Sequence, residues 1–163
     1  MSPITTPRLI IRPIQLSDAA FMLRLVNTDG WLRFIGDRNV HSYADAEGYI
    51  QKIQDTPNFY YNVVELAQAN LPMGVVSFIY RDGYDFPDLG FALLPEYFGQ
   101  GYAEEAARGY FQYLIQNETL VKILGIVNSD NSRSIRLLEK LGFARESERK
   151  NDNNITLVFG REV

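Results

Sequence analysis

The sequence predicts one domain of the α/β or α+β class, in which helices cover both faces of a mixed sheet. The chain has 163 residues, the length of one ordinary globular domain, and no repeat or flexible linker divides it. Near its middle, short runs rich in Val, Ile, Tyr and Phe alternate with turn-forming clusters, which is typical of an antiparallel meander. A strand, helix, strand, helix succession follows, and it indicates crossovers onto the same sheet.

Each element is predicted from a local signal. Pro13 ends the first strand, and Ser17 can cap the first helix because its hydroxyl can accept an unpaired amide of the first turn. Residues 28–43 mix Gly, Trp and His without a period and predict no regular element. The predicted elements, in chain order, are a strand at 9–14, helices at 17–27 and 44–55, meander strands at 59–66, 73–81 and 88–94, a helix at 101–117, a strand at 123–127, a helix at 132–141, and closing strands at 144–150 and 155–161.

The last predicted helix has signals at both ends. Asp130 or Asn131 can cap its start with a side-chain oxygen. Gly142 can take the left-handed conformation that ends a helix, and Phe143 would then lie over Leu138 as the apolar contact of a Schellman motif.

Composition excludes several classes of function. The formal net charge is -4 and the basic residues are scattered, so no general field favours nucleic acid. There is no apolar stretch of about 18 residues and no signal-peptide core near the start, so a cytoplasmic protein is expected. The chain has no Cys and one His, His41, which argues against disulfides, thiolate zinc sites, a thiol nucleophile and a His-paired metal motif. We therefore expect no metal.

Two features could meet a phosphate. Gly99, Gly101 and the small Ala103 stand where an apolar strand becomes a helix, and uncovered amides there, with the helix dipole, would attract an anion. The alternative is that the glycines only permit a tight turn. The second feature is a basic stripe on the last helix, which is either a solvated face or the neighbour of a bound phosphate: Arg133, Arg136 and Lys140.

The order and spacing of these motifs resemble the GNAT superfamily of N-acetyltransferases over nearly the whole chain. The resemblance rests on the turn at 98–103 and on the helix that begins Asn131-Ser132-Arg133-Ser134 and ends at Phe143. The segments Thr6-Pro7-Arg8-Leu9 and Tyr97-Phe98-Gly99-Gln100-Gly101-Tyr102-Ala103 are similar to the branch that includes ribosomal-protein N-terminal acetyltransferases. The resemblance implies a mostly antiparallel sheet of about seven strands, acetyl-CoA as co-substrate, and direct acetyl transfer to an amine in a ternary complex.

The resemblance also implies where the cofactor would lie. Gly101 and Ala103 fit the last two positions of the family's diphosphate-binding signature, while Phe98 departs from its first position. Backbone amides of the turn would hold the diphosphate, the strand before the turn would pair with the pantetheine arm, and Arg136 is a second basic residue that could reach a phosphate. The implied cofactor-binding residues are Phe91, Leu93, Phe98, Gly99, Gln100, Gly101, Tyr102, Ala103, Asn131 and Arg133.

The residues implied for catalysis differ from those that many relatives carry. Many relatives carry a Tyr acid where this chain has Leu138, and Ser134 is similar to a serine that the ribosomal-protein branch can offer to the sulfur. Ser134 could instead bond its own helix backbone. Asp88 stands where many relatives have a Glu, so it is the first choice for a base or an ammonium contact, and its alternative is a turn-closing Asp after Pro87. Glu105 matches a family position and is interpreted as structural.

The acceptor is expected between residues 31–43 and the loop 150–154. Candidate contacts, each with packing or surface exposure as the alternative, are Trp31, Arg33, Arg38, His41 and Tyr84, of which Trp31, Arg38 and Tyr84 are preferred. Deprotonating a lysine at pH 7 costs on the order of 4 to 5 kcal/mol, and deprotonating a chain N-terminus costs about 1 to 1.4 kcal/mol. A protein N-terminal amine is therefore preferred, with polyamines, amino acids, antibiotics and lysines left open.

Other classes of function also stay open at this point. A chain with this cleft could be a silent acyl-CoA-binding module, because the usual Tyr is missing, or an unrelated α/β scaffold. No nucleic acid or membrane partner is expected. Whether exposed aromatic strands pair two copies into a homodimer is not decided by the sequence.

Overall fold

The computed structural model describes residues 1–151 and 153–163, which form one mixed sheet flanked by helices. The strands are β1 (Ile4–Thr5), β2 (Leu9–Pro13), β3 (Phe59–Leu66), β4 (Leu71–Ile79), β5 (Asp88–Leu93), β6 (Lys122–Asn128), β7 (Ala144–Asn151) and β8 (Asn154–Glu162). The α-helices are α1 (Ala19–Val26), α2 (Asp29–Phe34), α3 (Tyr43–Asp55), α4 (Tyr102–Asn117) and α5 (Ser132–Lys140). Among these described helices, none has the length and apolar character needed to cross a membrane.

The strands follow the order β1-β2-β3-β4-β5-β6-β8-β7 across the sheet. Every neighbouring pair is antiparallel except β5 and β6, which α4 connects as a crossover. The predicted class, a mixed and mostly antiparallel sheet with helices on both faces, is confirmed. The described residues form eight strands where about seven were expected, and β1 has only two residues, too few to show a period in sequence.

Two hydrophobic cores lie on opposite faces of the sheet. Consecutive strand residues point to opposite faces, so Val64 of β3 packs in the core under α4 and α5, while Val63 packs under α1 and α3. Tyr110, Phe111 and Leu114 follow helical spacing and bury one side of α4 in the first core.

Two predictions near the N-terminus were wrong. Ser17 lies inside a single 3-10 turn, and the following Asp18 occupies the cap position of α1. The Asp18 carboxylate is turned to Arg12, whose guanidinium donates to both of its oxygens at 2.8 and 2.9 Å. Residues 28–43 contain α2, which Thr28 caps by accepting the Trp31 amide at 3.4 Å. This helix has six residues, and so short a segment shows no period.

The predicted ending of α5 is confirmed. Gly142 has φ of +82°, its amide donates to the Glu139 carbonyl at 2.9 Å, and the Phe143 amide donates to the Leu138 carbonyl at 3.0 Å. These two bonds define the Schellman motif. Asn131, rather than Asp130, caps the start of α5, because its Oδ1 accepts the Ser134 amide at 3.2 Å.

Close approach of β4 to β5 depends on Gly74, which is paired with Leu93. A Cβ at this position would clash with the carbonyl oxygen of Ala92 and with the side chain of Leu93. The missing side chain therefore fixes the distance between the two strands where β5 ends.

We predict that Gly74→Ala lowers the free energy of unfolding by about 1 to 3 kcal/mol, because the added methyl group forces the two strands apart. Gly48→Ala is the matched control, since no atom lies within 4 Å of its added Cβ in α3, and it should be neutral or stabilising by up to about 1 kcal/mol. Urea unfolding measures both. Equal stability of the Gly74→Ala protein and wild type would contradict the prediction.

Candidate functional site

The central feature of the site is a gap between β5 and β6. These strands share one registered pair, Asp88 with Leu124, and the Leu124 amide donates to the Pro87 carbonyl at 2.8 Å. The next amide of β6 on the side of β5 is that of Ile126. It donates to the Asp88 side chain at 2.9 Å instead of to a β5 carbonyl. The carboxylate of Asp88 thus ends the pairing, and the strands separate beyond it.

The gap exposes one edge of β5. The Leu94 amide donates to the Met73 carbonyl at 2.8 Å, so alternate residues of β5 bond to β4. Phe91 and Leu93 are among the residues in between, so their backbone N–H and C=O groups point away from β4 and towards the gap. The strand predicted to meet an extended ligand therefore has unpaired polar backbone at both of the predicted positions.

Asp88 is almost fully buried, with 2% of its surface exposed. One carboxylate oxygen accepts a hydrogen bond from Nε of Arg81 at 2.7 Å, and the other accepts the Ile126 amide. Burial raises the pKa of Asp88, while the charge and hydrogen bond of Arg81 and the Ile126 amide act in the opposite direction. The side chain links two strands and a loop, which is more than the turn-closing role considered as its alternative.

The glycine turn lies beside the end of β5. Gly99 and Gly101 have φ of +74° and +78°, and residues 98–101 are exposed. Gly101 is the N-cap of α4 and supplies no side chain, while the first helical bond is that of the Glu105 amide to the Gly101 carbonyl, at 3.0 Å. The amides of Tyr102 and Ala103 precede that bond and have no helical acceptor. The turn therefore fits a diphosphate held by backbone amides.

Two carboxylates in the first turn of α4 would oppose an anion there, but both are paired. Glu104 contacts Arg108 at 3.1 Å and Lys140 at 3.3 Å, and these hydrogen bonds lower its pKa. Glu105 accepts the Thr6 hydroxyl at 2.6 Å and Nε of Arg8 at 2.5 Å. Burial opposes the ionisation of Glu105, but these bonds outweigh it and lower its pKa. The helix end keeps its attraction for a negative charge.

The start of α5 carries three of the predicted site residues, Asn131, Arg133 and Ser134. Arg133 is exposed and its guanidinium carbon lies 4.4 Å from the ring centroid of Phe98, so the two predicted cofactor residues contact each other. Ser134 is partly buried in the first turn. Leu138 is 1% exposed and packs where Gly125 lacks a side chain, so this position is part of the core.

The three residues of the basic stripe on α5 have different contacts. Lys140 pairs with Glu104, and Arg133 lies on Phe98, whereas Arg136 is simply exposed on the same helix. Lys140 therefore joins α5 to the first turn of α4, and Arg133 joins it to the glycine turn before α4.

The predicted acceptor residues differ in exposure. Trp31 is 3% exposed and packs in the core under α1 and α3, which is the packing role considered as the alternative to an acceptor contact. Arg38 is exposed beside Gly36, and Tyr84 lies under the guanidinium of Arg149, 3.9 Å from its ring. The remaining candidates are exposed: Arg33, which reaches Asp130 at 4.0 Å, and His41, whose Nε2 lies 3.2 Å from Oδ1 of Asn39.

A polar depression of about 330 Å³ lies at the expected acceptor side. The residues that line it include Asn128, Asp130, Lys150 and Asn154. Residue 152 of the predicted loop 150–154 lies outside the described residues.

Sequence reasoning missed three residues around the site, namely Tyr61, Arg81 and Arg8. Burial raises the pKa of Tyr61 and the neighbouring Tyr49 adds to the rise, while the charges of Arg38 and Arg81 act in the opposite direction. No sequence signal marks Tyr61, which is one of two adjacent tyrosines in β3. Arg8 does carry a signal, since it belongs to the Thr6-Pro7-Arg8-Leu9 segment.

Comparisons with known proteins find a matching family and a similar sequence. A family model described as an acetyltransferase (GNAT) domain matches residues 8–144. The uncharacterized N-acetyltransferase YnaD of Bacillus subtilis (strain 168) is 26% identical over 143 residues, covering 88% of this chain and 83% of the relative.

Two solved structures have the same fold. A RimL ribosomal L7/L12 alpha-N-protein acetyltransferase in complex with coenzyme A superposes with a TM-score of 0.86 at 16% identity, covering 99% of this chain and 98% of that one. An acetyltransferase from Salmonella typhimurium that modifies the N-terminal serine of ribosomal protein L7/L12 superposes with a TM-score of 0.84 at 15% identity, covering 99% of each chain.

We predict that the pH dependence of stability reports the burial of Asp88. Because its pKa is raised in the folded state, the folded protein binds this proton more tightly than the unfolded chain does. The resulting stabilisation is complete below the ordinary value of 3.8 and is lost as pH rises through the raised value. The unfolding free energy of wild type minus that of Asp88→Asn should therefore decrease as pH rises above about 4.

Urea unfolding across this pH range measures that difference. Asp82→Asn, which removes an exposed carboxylate from the loop before β5, is the control and should show no such trend. A difference that grows with rising pH would mean that Arg81 outweighs burial, and it would contradict the prediction.

Proposed function

Because the chain belongs to the GNAT acetyltransferase family and is an N-acetyltransferase, we propose that it takes the acetyl group of acetyl-CoA and transfers it directly to a primary amine, with a protein N-terminus as acceptor. The observation that carries this proposal is the gap between β5 and β6. It offers the unpaired backbone of Phe91 and Leu93 next to the exposed glycine turn.

The donor would be held mainly by backbone. Amides of residues 99–103 would bind the diphosphate, and this needs no particular side chain at Phe98. The Phe91 and Leu93 backbone would pair with the pantetheine arm, and Asn131 and Arg133 would contact the cofactor from α5. Acetyl-CoA supplies the acetyl thioester, and the Leu93 amide would donate to its carbonyl oxygen as negative charge develops there.

The surroundings of Asp88 bear on the acceptor class. Asp88 is 2% exposed and both of its oxygens already accept hydrogen bonds, so a direct role as base has no support in its geometry. A lysine would need on the order of 4 to 5 kcal/mol of help at pH 7, whereas a chain N-terminus needs about 1 to 1.4 kcal/mol. An N-terminal amine can attack after losing its proton to water. The two ribosomal-protein acetyltransferases of the same fold act on the same class of acceptor.

The leaving thiol needs less help than the amine. Its pKa of about 8.5 corresponds to about 2 kcal/mol at pH 7, which a hydrogen bond can supply. Leu138 is a core residue, so the acid that many relatives place there has no counterpart at that position. Ser134, in the first turn of α5, is the hydroxyl that we propose for this bond.

A panel of acceptors tests the proposed function. Peptides with free N-termini, the same peptides with blocked N-termini and an internal lysine, polyamines, amino acids and aminoglycosides are incubated with acetyl-CoA, while thiol release and intact mass are measured. Acetylation confined to free N-termini is expected. Acetylation of lysine or small amines alone would contradict the proposed acceptor.

Two outcomes of binding measurements made alongside the panel would contradict the proposed enzymatic activity. Calorimetric binding of acetyl-CoA without thiol release for any amine would indicate a silent acyl-CoA-binding module. The absence of any shift in melting temperature with coenzyme A would indicate a scaffold that does not bind the donor.

We predict that Ser134→Ala lowers kcat by about 10- to 30-fold, since about 2 kcal/mol of thiolate stabilisation is the most that this bond needs to supply. The KM for acetyl-CoA should change little. Ser132→Ala, at the exposed first position of the same helix, is the matched control and should keep wild-type kcat. Unchanged kcat in Ser134→Ala would remove Ser134 from the mechanism.

A further inference from the structure

The Thr6-Pro7-Arg8 segment lies far from α4 in sequence but is bonded to its first turn. The Thr6 hydroxyl and the Arg8 amide both donate to Oε1 of Glu105, at 2.6 and 2.8 Å, and Nε of Arg8 donates to Oε2 at 2.5 Å. One carboxylate thus receives three hydrogen bonds from the segment between β1 and β2. This fixes the segment against the beginning of α4.

The same guanidinium reaches the glycine turn. Nη1 of Arg8 donates to the carbonyl oxygen of Gln100 at 3.0 Å, and the guanidinium carbon lies 4.4 Å from the ring centroid of Tyr102. A Cβ added at Gly101 would lie 3.4 Å from Nη2 of Arg8. Arg8 therefore contacts the residues on both sides of Gly101 and closely approaches Gly101 itself.

We propose that Arg8 is a positioning residue that holds the glycine turn in its anion-binding conformation. Bonding the Gln100 carbonyl on the protein side fixes the orientation of the peptide unit that follows it, and so directs the Gly101 amide away from Arg8. Pairing with Glu105 also removes a negative charge that would repel a diphosphate at the same helix end. This inference rests on the proposed binding of coenzyme A at this turn.

The shape of the side chain matters as much as its charge. A guanidinium can donate to Glu105 through Nε and to Gln100 through Nη1 while its plane lies on Tyr102. An ammonium is a compact point charge on a flexible chain and cannot make these contacts together. Lysine at this position should keep the pairing with Glu105 and lose the hold on the turn.

Calorimetric titration with coenzyme A tests the proposal. Arg8→Gln should weaken coenzyme A binding by about tenfold or more, Arg8→Lys should be intermediate, and Arg145→Gln, which breaks the surface pair with Glu148 on β7, should bind as wild type does. Adding Glu105→Gln to Arg8→Gln should recover part of the loss, because the unpaired carboxylate is then gone. In turnover, the KM for acetyl-CoA should rise with little change in kcat.

Amide hydrogen exchange without ligand gives a second readout. Residues 99–103 should exchange faster in Arg8→Gln than in Arg145→Gln, because the turn has lost its anchor. Wild-type affinity and wild-type exchange in Arg8→Gln would overturn this inference alone. If the unsubstituted protein fails to bind coenzyme A, the proposed function and this inference both fail. Circular dichroism checks folding, and Arg8→Lys carries the test if Arg8→Gln does not fold.

Discussion

The separation of β5 from β6 after a single parallel pair is the constraint on which the site depends. A continuous ladder would consume the backbone groups of Phe91 and Leu93. The Asp88 carboxylate takes the Ile126 amide that the ladder would otherwise pair, so the gap opens without leaving that donor unsatisfied. Arg81 neutralises the buried charge from the loop side. The cost of burying a carboxylate is thereby offset at the point where the sheet must end its pairing.

The electrostatics of the glycine turn depend on segments that are distant in the chain. A helix N-terminus attracts anions, yet α4 begins with two glutamates that would oppose one. Glu105 is paired by the N-terminal segment, and Glu104 is paired within α4 and by Lys140 of α5. The same pairs hold β1, β2 and α5 against α4. One set of contacts thus assembles the fold and keeps the turn suited to a diphosphate.

The proposed chemistry depends more on position than on strong acids and bases. Leu138 is core, and both carboxylate oxygens of Asp88 are bonded within the sheet and the adjoining loop, so neither position offers a group that is free to move a proton. Uncovered amides at the gap and at the turn can orient a thioester against an amine, which lowers the entropic part of the barrier. An acceptor that is readily neutral at physiological pH suits such a site.

The sequence by itself determined seven of the eight described strands, the caps of α5 and the turn at Gly99 and Gly101, because period, capping side chains and positive φ are local properties of a few neighbouring residues. Only the tertiary structure decided the partners of the charged groups. Arg8 and Glu105 are 97 residues apart, and Asp88 meets Ile126 across 38 residues. It also buried Trp31, whose short helix packs into a core that no local pattern describes. Long-range pairing and burial depend on how elements pack, and spacing along the chain does not encode that.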